Sequence, residues 1–228
     1  MKAITYYQYG SPDVLQLEEL DIPVPADNEV LVRVHAATVS RTDCANVSAK
    51  PFIMRFFLGL FKPKKNRLGT DFAGIIEAIG KDVTTYSIGD KVFGFNDSIV
   101  GSQAEYFTIS EQDNIHAMPQ GVSYEEATAC CEGFHYAANM IRKGKVEAGQ
   151  QVLVNGATGA IGSAAVQIVK ALGANVTAVC GTDHTDLVKA LGPDKVVDYM
   201  RHHGKKAAVS NSCHFSDPVA VLTYKLKM

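Results

Sequence analysis

The chain has 228 residues, 46% of them hydrophobic and 20% charged, enough to bury a sizeable core in one large domain or two small ones. A formal net charge of -2 gives no electrostatic reason to expect nucleic acid or an anionic membrane as a partner. No apolar run approaches the ~20 residues of a membrane span, and the start MKAITYYQYG lacks the apolar core of a secretory signal. The five cysteines are odd in number and never form C-x-x-C, which suits a reducing cytoplasm rather than a disulfide framework or a cysteine-rich zinc site.

In chain order, residues 2–7, 15–19, 29–37, 73–79, 91–95 and 104–109 are short β-type runs separated by turn signals at 10–12, 23–28 and 87–90. Val30, Val32 and Val34 alternate with Leu31, Arg33 and His35, the period of a half-buried strand. No long helical pattern interrupts this region, so an antiparallel, barrel-like domain is predicted over residues 1–122. Residues 52–65 (FIMRFFLGLFKPKK) are the exception, because their apolar positions hold no single period. Two readings stand for them: a core-packed helix or loop, and a mobile apolar flap over a substrate cleft.

The texture changes near residues 119–126. Ser123 followed by Glu126 is a capping box, predicted to open a helix through Cys131, with a second helix over 133–143. Residues 152–155, 163–172, 175–180, 185–191 and 195–199 then read strand–helix–strand–helix–strand. That alternation predicts right-handed βαβ units and a parallel sheet, in a second domain over residues 123–200. The expected fold class is therefore α+β followed by α/β. After Tyr199 the pattern stops; residues 201–228 are expected to form a poorly ordered tail, with at most a stray strand at 219–226.

The stretch QVLVNGATGAIG at 151–162 carries the chemistry. A β-branched strand feeds a turn with Gly156, Gly159 and Gly162 spaced three apart, and a helix follows. Such a turn lets backbone approach a phosphate while the helix N-terminus offers unpaired N–H groups and a partial positive charge. The spacing fits G-x-G-x-x-G with Ala157 at the first glycine, so a nucleotide is expected over Gly156, Ala157, Thr158, Gly159, Ala160, Ile161 and Gly162. At the tip of the second strand, Cys180, Gly181 and Thr182 include no acid, which leaves room for a 2′-phosphate, and Thr182 can donate to one. Asp183 opposes that reading, with His184 and Lys189 as compensation; the expected cofactor is NADPH, with NADH as the alternative.

Several separate pieces resemble one family: GSPDVLQLEE (10–19), EVLVRVHAATVSRTD (29–43), LGTDFAGIIEAIG (68–80), GDKVFGF (89–95), AEYF (104–107) and VLVNGATGAIGSAAVQIVKALGANVTAV (152–179). The chain resembles the medium-chain dehydrogenase/reductase superfamily, in its zinc-free quinone oxidoreductase-like branch. The resemblance implies a GroES-like catalytic domain, a Rossmann domain, and hydride transfer from NADPH or NADH bound in the cleft between them. It also assigns the glycine turn to the cofactor pyrophosphate. Ser40 and Thr70 stand where zinc-binding relatives need a cysteine and a histidine, so no catalytic zinc is expected. Asp43 and Asp71 are read as structural acceptors. Ser40 is expected to face the nicotinamide end of the cleft, and His135 falls where the family commonly places a cofactor-lining threonine, with Tyr136 and Glu132 nearby as rivals or a packed histidine as the other reading.

The resemblance implies a small-molecule quinone or carbonyl substrate, with room for a homodimer. Family members run on well past this length, and residues 201–228 do not resemble their continuation. A truncated or frame-shifted product is therefore expected, with the strand at 152–155 left as a sheet edge and the chain unstable alone or in need of a partner. The competing reading is a catalytically dead nucleotide-binding or scaffold protein; a zinc alcohol dehydrogenase is a third, weakened by Ser40 and Thr70.

Overall fold

A computed structural model describes residues 1–96 and 101–201, together with the backbone of 219–223. The chain divides into two compact units, Met1–Cys131 and Glu132–Lys227.

In the first unit, β1 (Lys2–Thr5) and β2 (Gln16–Glu19) form an antiparallel ribbon. β3 (Glu29–Ala37) leads into two short helices, α1 (Arg41–Ser48) and α2 (Met54–Leu58). β4 (Asp71–Ile79), β5 (Lys91–Phe95), β6 (Tyr106–Ser110) and β7 (Ile115–Ala117) follow, and the antiparallel sheet runs in the order β6-β3-β4-β5-β7. Register explains the core. Val30 lies opposite Ile79 and Ile109, and Val32 opposite Ile76 and Phe107, so the alternating valines of β3 enter one apolar cluster with Phe72, Val92 and Ile115. The Phe72 and Phe107 rings meet edge to face at 4.7 Å, the arrangement aromatic quadrupoles favour. The β-type runs read from the sequence are strands within a few residues; α1 and β7 were not foreseen.

α3 (Tyr124–Lys143) crosses from one unit to the next. Its entry is the predicted capping box: Glu126 N donates to Ser123 Oγ at 3.2 Å and Ser123 N to Glu126 Oε2 at 2.9 Å. The two helices expected over 123–143 are in fact one. Gly133 does not break it, because an interior glycine costs only about 1 kcal/mol and this one has a packing reason. A Cβ there would sit 2.9 Å from the Ala160 carbonyl oxygen, so glycine is what lets that backbone approach α3.

β8 (Gln151–Asn155), α4 (Ala160–Ala171), β9 (Asn175–Cys180), α5 (Thr185–Ala190), β10 (Lys195–Asp198) and β11 (Val219–Thr223) complete the second unit. The four strands are parallel in the order β10-β9-β8-β11. Val152 and Val154, Val176 and Ala178, and the α4 residues Ala165, Val166 and Val169 form its core. This arrangement corrects the expectation that β8 is an edge. β11 pairs along its whole length, from Val219 opposite Gln151 to Thr223 opposite Asn155. The run VAVLT is of strand-forming composition, and pairing it satisfies backbone groups that an edge β8 would leave open. The expected poorly ordered tail otherwise falls on residues outside those described.

Candidate functional site

At the turn between β8 and α4, Gly156 holds φ at +81°, a conformation that L side chains rarely adopt. Gly156 N and Ala157 N both donate to the Val179 carbonyl, at 3.2 and 3.1 Å, tying the turn to β9. Ala157 is fully buried, and this accounts for a small apolar residue at the fingerprint's first glycine position. Gly162 is needed for close approach: a Cβ on it would lie 2.1 Å from the Gly156 carbonyl oxygen, so α4 rests directly on the turn. Gly159 is different. It is the N-cap of α4, makes no side-chain capping bond, and a Cβ on it would meet only Gly156 O at 3.7 Å.

The first turn of α4 comprises Ala160, Ile161 and Gly162, and Ser163 N is the first to bond back into the helix, to Gly159 O at 2.8 Å. N–H groups ahead of that bond have no intrahelical acceptor. Thr158, Gly159 and Ala160 are exposed around them, whereas Ile161 leans on the core. The result is an open, glycine-walled helix terminus with donors for a phosphate group.

At the end of β9 the predicted trio separates. Cys180 is buried in the core, which pushes its thiol up; its side chain belongs to packing. Gly181 is buried beside Tyr199, whose hydroxyl would lie 3.1 Å from a Cβ there. Thr182 is exposed, but its hydroxyl donates to Asp198 Oδ2 at 2.7 Å. Burial works against the Asp198 carboxylate, yet the Thr182 hydroxyl and the Met200 and Arg201 N–H groups outweigh it and hold the acid below its usual range. Asp198 lies on β10, away in sequence from the tip of β9 where such an acid is expected, yet in the sheet it is the register partner of Cys180. Of the two compensating cations, Lys189 is paired with Asp186 at 3.1 Å.

In the first unit, Ser40 is the N-cap of α1: its Oγ accepts from Thr42 N at 3.1 Å and its own N–H donates to Asp43 Oδ2 at 2.8 Å. Asp43, 2% exposed, also accepts from Gly69 N at 2.8 Å and Gln103 Nε2 at 3.2 Å, pinning α1 to the strand-entry segment before β4. Asp71, 1% exposed, accepts from the Thr38 and Thr70 hydroxyls at 2.6 and 3.0 Å. Both acids are thus hydrogen-bond acceptors that organise the loops around Ser40 and Thr70. Among the described residues no three His, Cys, Asp or Glu side chains are grouped as a metal ion would need.

His135 lies half-buried on α3 with Glu132 and Tyr136 on the same helix, in the second unit. Its Nε2 is 3.0 Å from Asn139 Nδ2, and its ring meets that of Tyr136 edge to face at 5.5 Å. Residues 52–65 are not a core-packed segment. Phe52, Ile53, Phe56, Phe57 and Phe61 are all more than 60% exposed around α2, and Arg55 lies over the Tyr9 ring at 4.9 Å.

The family model of the alcohol dehydrogenase GroES-like domain matches residues 26–120. The pig (Sus scrofa) quinone oxidoreductase is 33% identical over 196 residues, covering 80% of this chain and 54% of its own. The structure of the quinone oxidoreductase from Coxiella burnetii superposes with a TM-score of 0.82 at 29% identity, covering 97% of this chain and 68% of that one. The Escherichia coli quinone oxidoreductase, solved in complex with NADPH, gives 0.75 at 27%, covering 88% of this chain and 59% of that one. The chain spans about half the length of the mammalian relatives it matches, such as the pig protein at 54%.

Proposed function

The chain belongs to the medium-chain dehydrogenase/reductase superfamily, in its quinone oxidoreductase-like branch, and on that footing we propose that it is a zinc-independent NAD(P)H-dependent reductase of quinones, enones or related small carbonyls. The observation that carries the proposal is the glycine turn between β8 and α4. Gly156 has the left-handed φ, and Gly162 lets α4 rest directly on the turn, where a Cβ would clash with the Gly156 carbonyl oxygen at 2.1 Å. Gly159 leaves the start of α4 uncapped by any side chain. These features fit a dinucleotide pyrophosphate, held by first-turn N–H groups and the positive end of the helix.

When bound, the reduced nicotinamide supplies the hydride. The chain's own residues bind and orient it, and donate to the oxygen on which negative charge develops. Ser40 and His135 are the proposed donors. Ser40 Oγ accepts in the helix cap and keeps its O–H proton to donate, and a neutral imidazole has one N–H to donate, so each has the chemistry for the role. NADPH is the proposed cofactor because Gly181 and Thr182 bring no acid of their own to the tip of β9. The Asp198 carboxylate on Thr182 weighs toward NADH.

Loss of reduced-nicotinamide absorbance with a simple quinone tests the proposal, with Gly159→Asp as the control that must abolish it. No consumption with any quinone or enone, together with intact cofactor binding in a fluorescence titration, would establish the competing reading of a catalytically inactive nucleotide-binding protein. Stoichiometric zinc in the purified protein would overturn the zinc-independent mechanism.

A further inference from the structure

Three side chains one helical turn apart on α3 form a directed relay. Arg142 NH2 donates to Asn139 Oδ1 at 3.1 Å, and Asn139 Nδ2 lies 3.0 Å from His135 Nε2. The chemistry of the groups fixes every proton in it. A guanidinium has only donors, so the Asn139 atom facing Arg142 must be the amide oxygen. The amide nitrogen then faces His135, and an amide NH2 has only donors, so His135 Nε2 must accept. An imidazole nitrogen that accepts carries no proton, which leaves the single ring proton on Nδ1.

We propose that Asn139 and Arg142 are positioning residues that hold His135 as the Nδ1–H tautomer. A hydrogen bond from His135 to a carbonyl or carboxamide oxygen therefore comes from Nδ1 alone. The spacing makes this possible on one element: positions three and four apart share a helix face, so His135, Asn139 and Arg142 stack along it. The Tyr136 ring set edge-on to the imidazole at 5.5 Å limits the ring's rotation about its own bond. The relay further aligns the imidazole: rotating the ring by half a turn would put the Cε1–H carbon where Nε2 stood, and the Asn139 amide would lose its acceptor. This assignment rests on the reductase reading only for what the Nδ1 proton is used for.

The test is a long-range proton–nitrogen correlation spectrum of the full chain labelled with ¹⁵N-histidine, with the His135 signals assigned by their loss in His135→Gln. In the wild type, Nε2 should resonate as the unprotonated, pyridine-type nitrogen and Nδ1 as the protonated one. Asn139→Asp replaces the donor by a group that only accepts, so Nε2 should now carry a proton. Arg142→Leu, at an exposed position, frees the amide to turn and should give both tautomers. A protonated Nε2 in the wild type, or the same tautomer in the wild type and Asn139→Asp, would overturn the proposal. If Asn139→Asp does not fold, the Arg142→Leu spectrum decides alone, and an unmixed wild-type pattern there counts against the relay. Quinone reduction by His135→Gln separates the two ideas: turnover unchanged beside the expected spectra leaves the relay standing and removes His135 from the reductase reading.

Discussion

Thr182 Oγ1 donates to Asp198 Oδ2 at 2.7 Å, joining the ends of the neighbouring parallel strands β9 and β10. The hydroxyl that the bare sequence offers to a ribose 2′-phosphate is therefore bonded to an acid from the next strand. A phosphate arriving beside Thr182 meets a carboxylate held ionised by its own hydrogen bonds. Asp198→Asn should tighten NADPH relative to NADH by roughly tenfold or less, since the two charges interact at a solvated surface. Paired fluorescence titrations of the two cofactors measure it; an unchanged ratio would place the 2′-phosphate elsewhere.

Two of the fingerprint glycines, Gly159 and Gly162, should separate by mechanism. Gly159→Asp places a good capping residue where space is open, so stability should move by about 0.5 kcal/mol or less. Its carboxylate nevertheless sits where phosphate oxygens are expected, and cofactor binding should be lost. Gly162→Ala instead drives a Cβ into the Gly156 backbone and should destabilise the second unit by about 1–3 kcal/mol. Thermal melts read against cofactor titration distinguish a folding defect from a binding defect.

Asp43 anchors the Ser40 loop. Asp43→Ala leaves the Ser40, Gly69 and Gln103 donors without this acceptor, at a cost of about 1–3 kcal/mol for each one that stays buried and unpaired. Ser40→Ala removes the cap that its Oγ gives to the Thr42 and Asp43 N–H groups, worth about 1 kcal/mol. If Ser40→Ala loses quinone turnover while keeping its melting temperature within the range of a lost cap, Ser40 acts in the reaction as well as in the helix.

Asp194 gives the second unit an acid-sensitive tie. Its oxygens accept from Lys170 Nζ on α4 at 2.8 Å and from Val176 N on β9 at 2.6 Å. The Lys170 bond, then the Val176 bond, hold its carboxyl below the ordinary 3.8. A carboxyl depressed in the folded state contributes stability that is complete above its unfolded value and disappears as pH falls through the lower folded value. Asp194→Asn should therefore cost on the order of 1 kcal/mol at neutral pH, discounted for exposure. The gap to the wild type should close in strong acid. Urea midpoints across the acid range measure it, and a gap that widened toward low pH would contradict the assignment.

Local patterns were legible where one side chain's chemistry meets its near neighbours in sequence. The Ser123–Glu126 capping box, the period-two valines of β3 and the Gly156–Gly162 spacing each encode their structure within a few residues. The Ser40-Arg41-Thr42-Asp43 stretch carries the same capping signature and marks α1. What was not legible involves partners distant in the chain. The glycine at 133 looks like a break until the Ala160 carbonyl is seen against it.

By itself the sequence determined an antiparallel, strand-rich first half, a βαβ-containing second half and the glycine turn that joins β8 to α4, because periodicity and glycine spacing are local constraints. Only the tertiary structure decided that β8 is paired on both sides, since a strand's partner on its far edge comes from residues 219–223, beyond any local pattern. It likewise decided that Thr182 answers to Asp198, since parallel register sets the ends of β9 and β10 side by side although 16 positions separate the two residues.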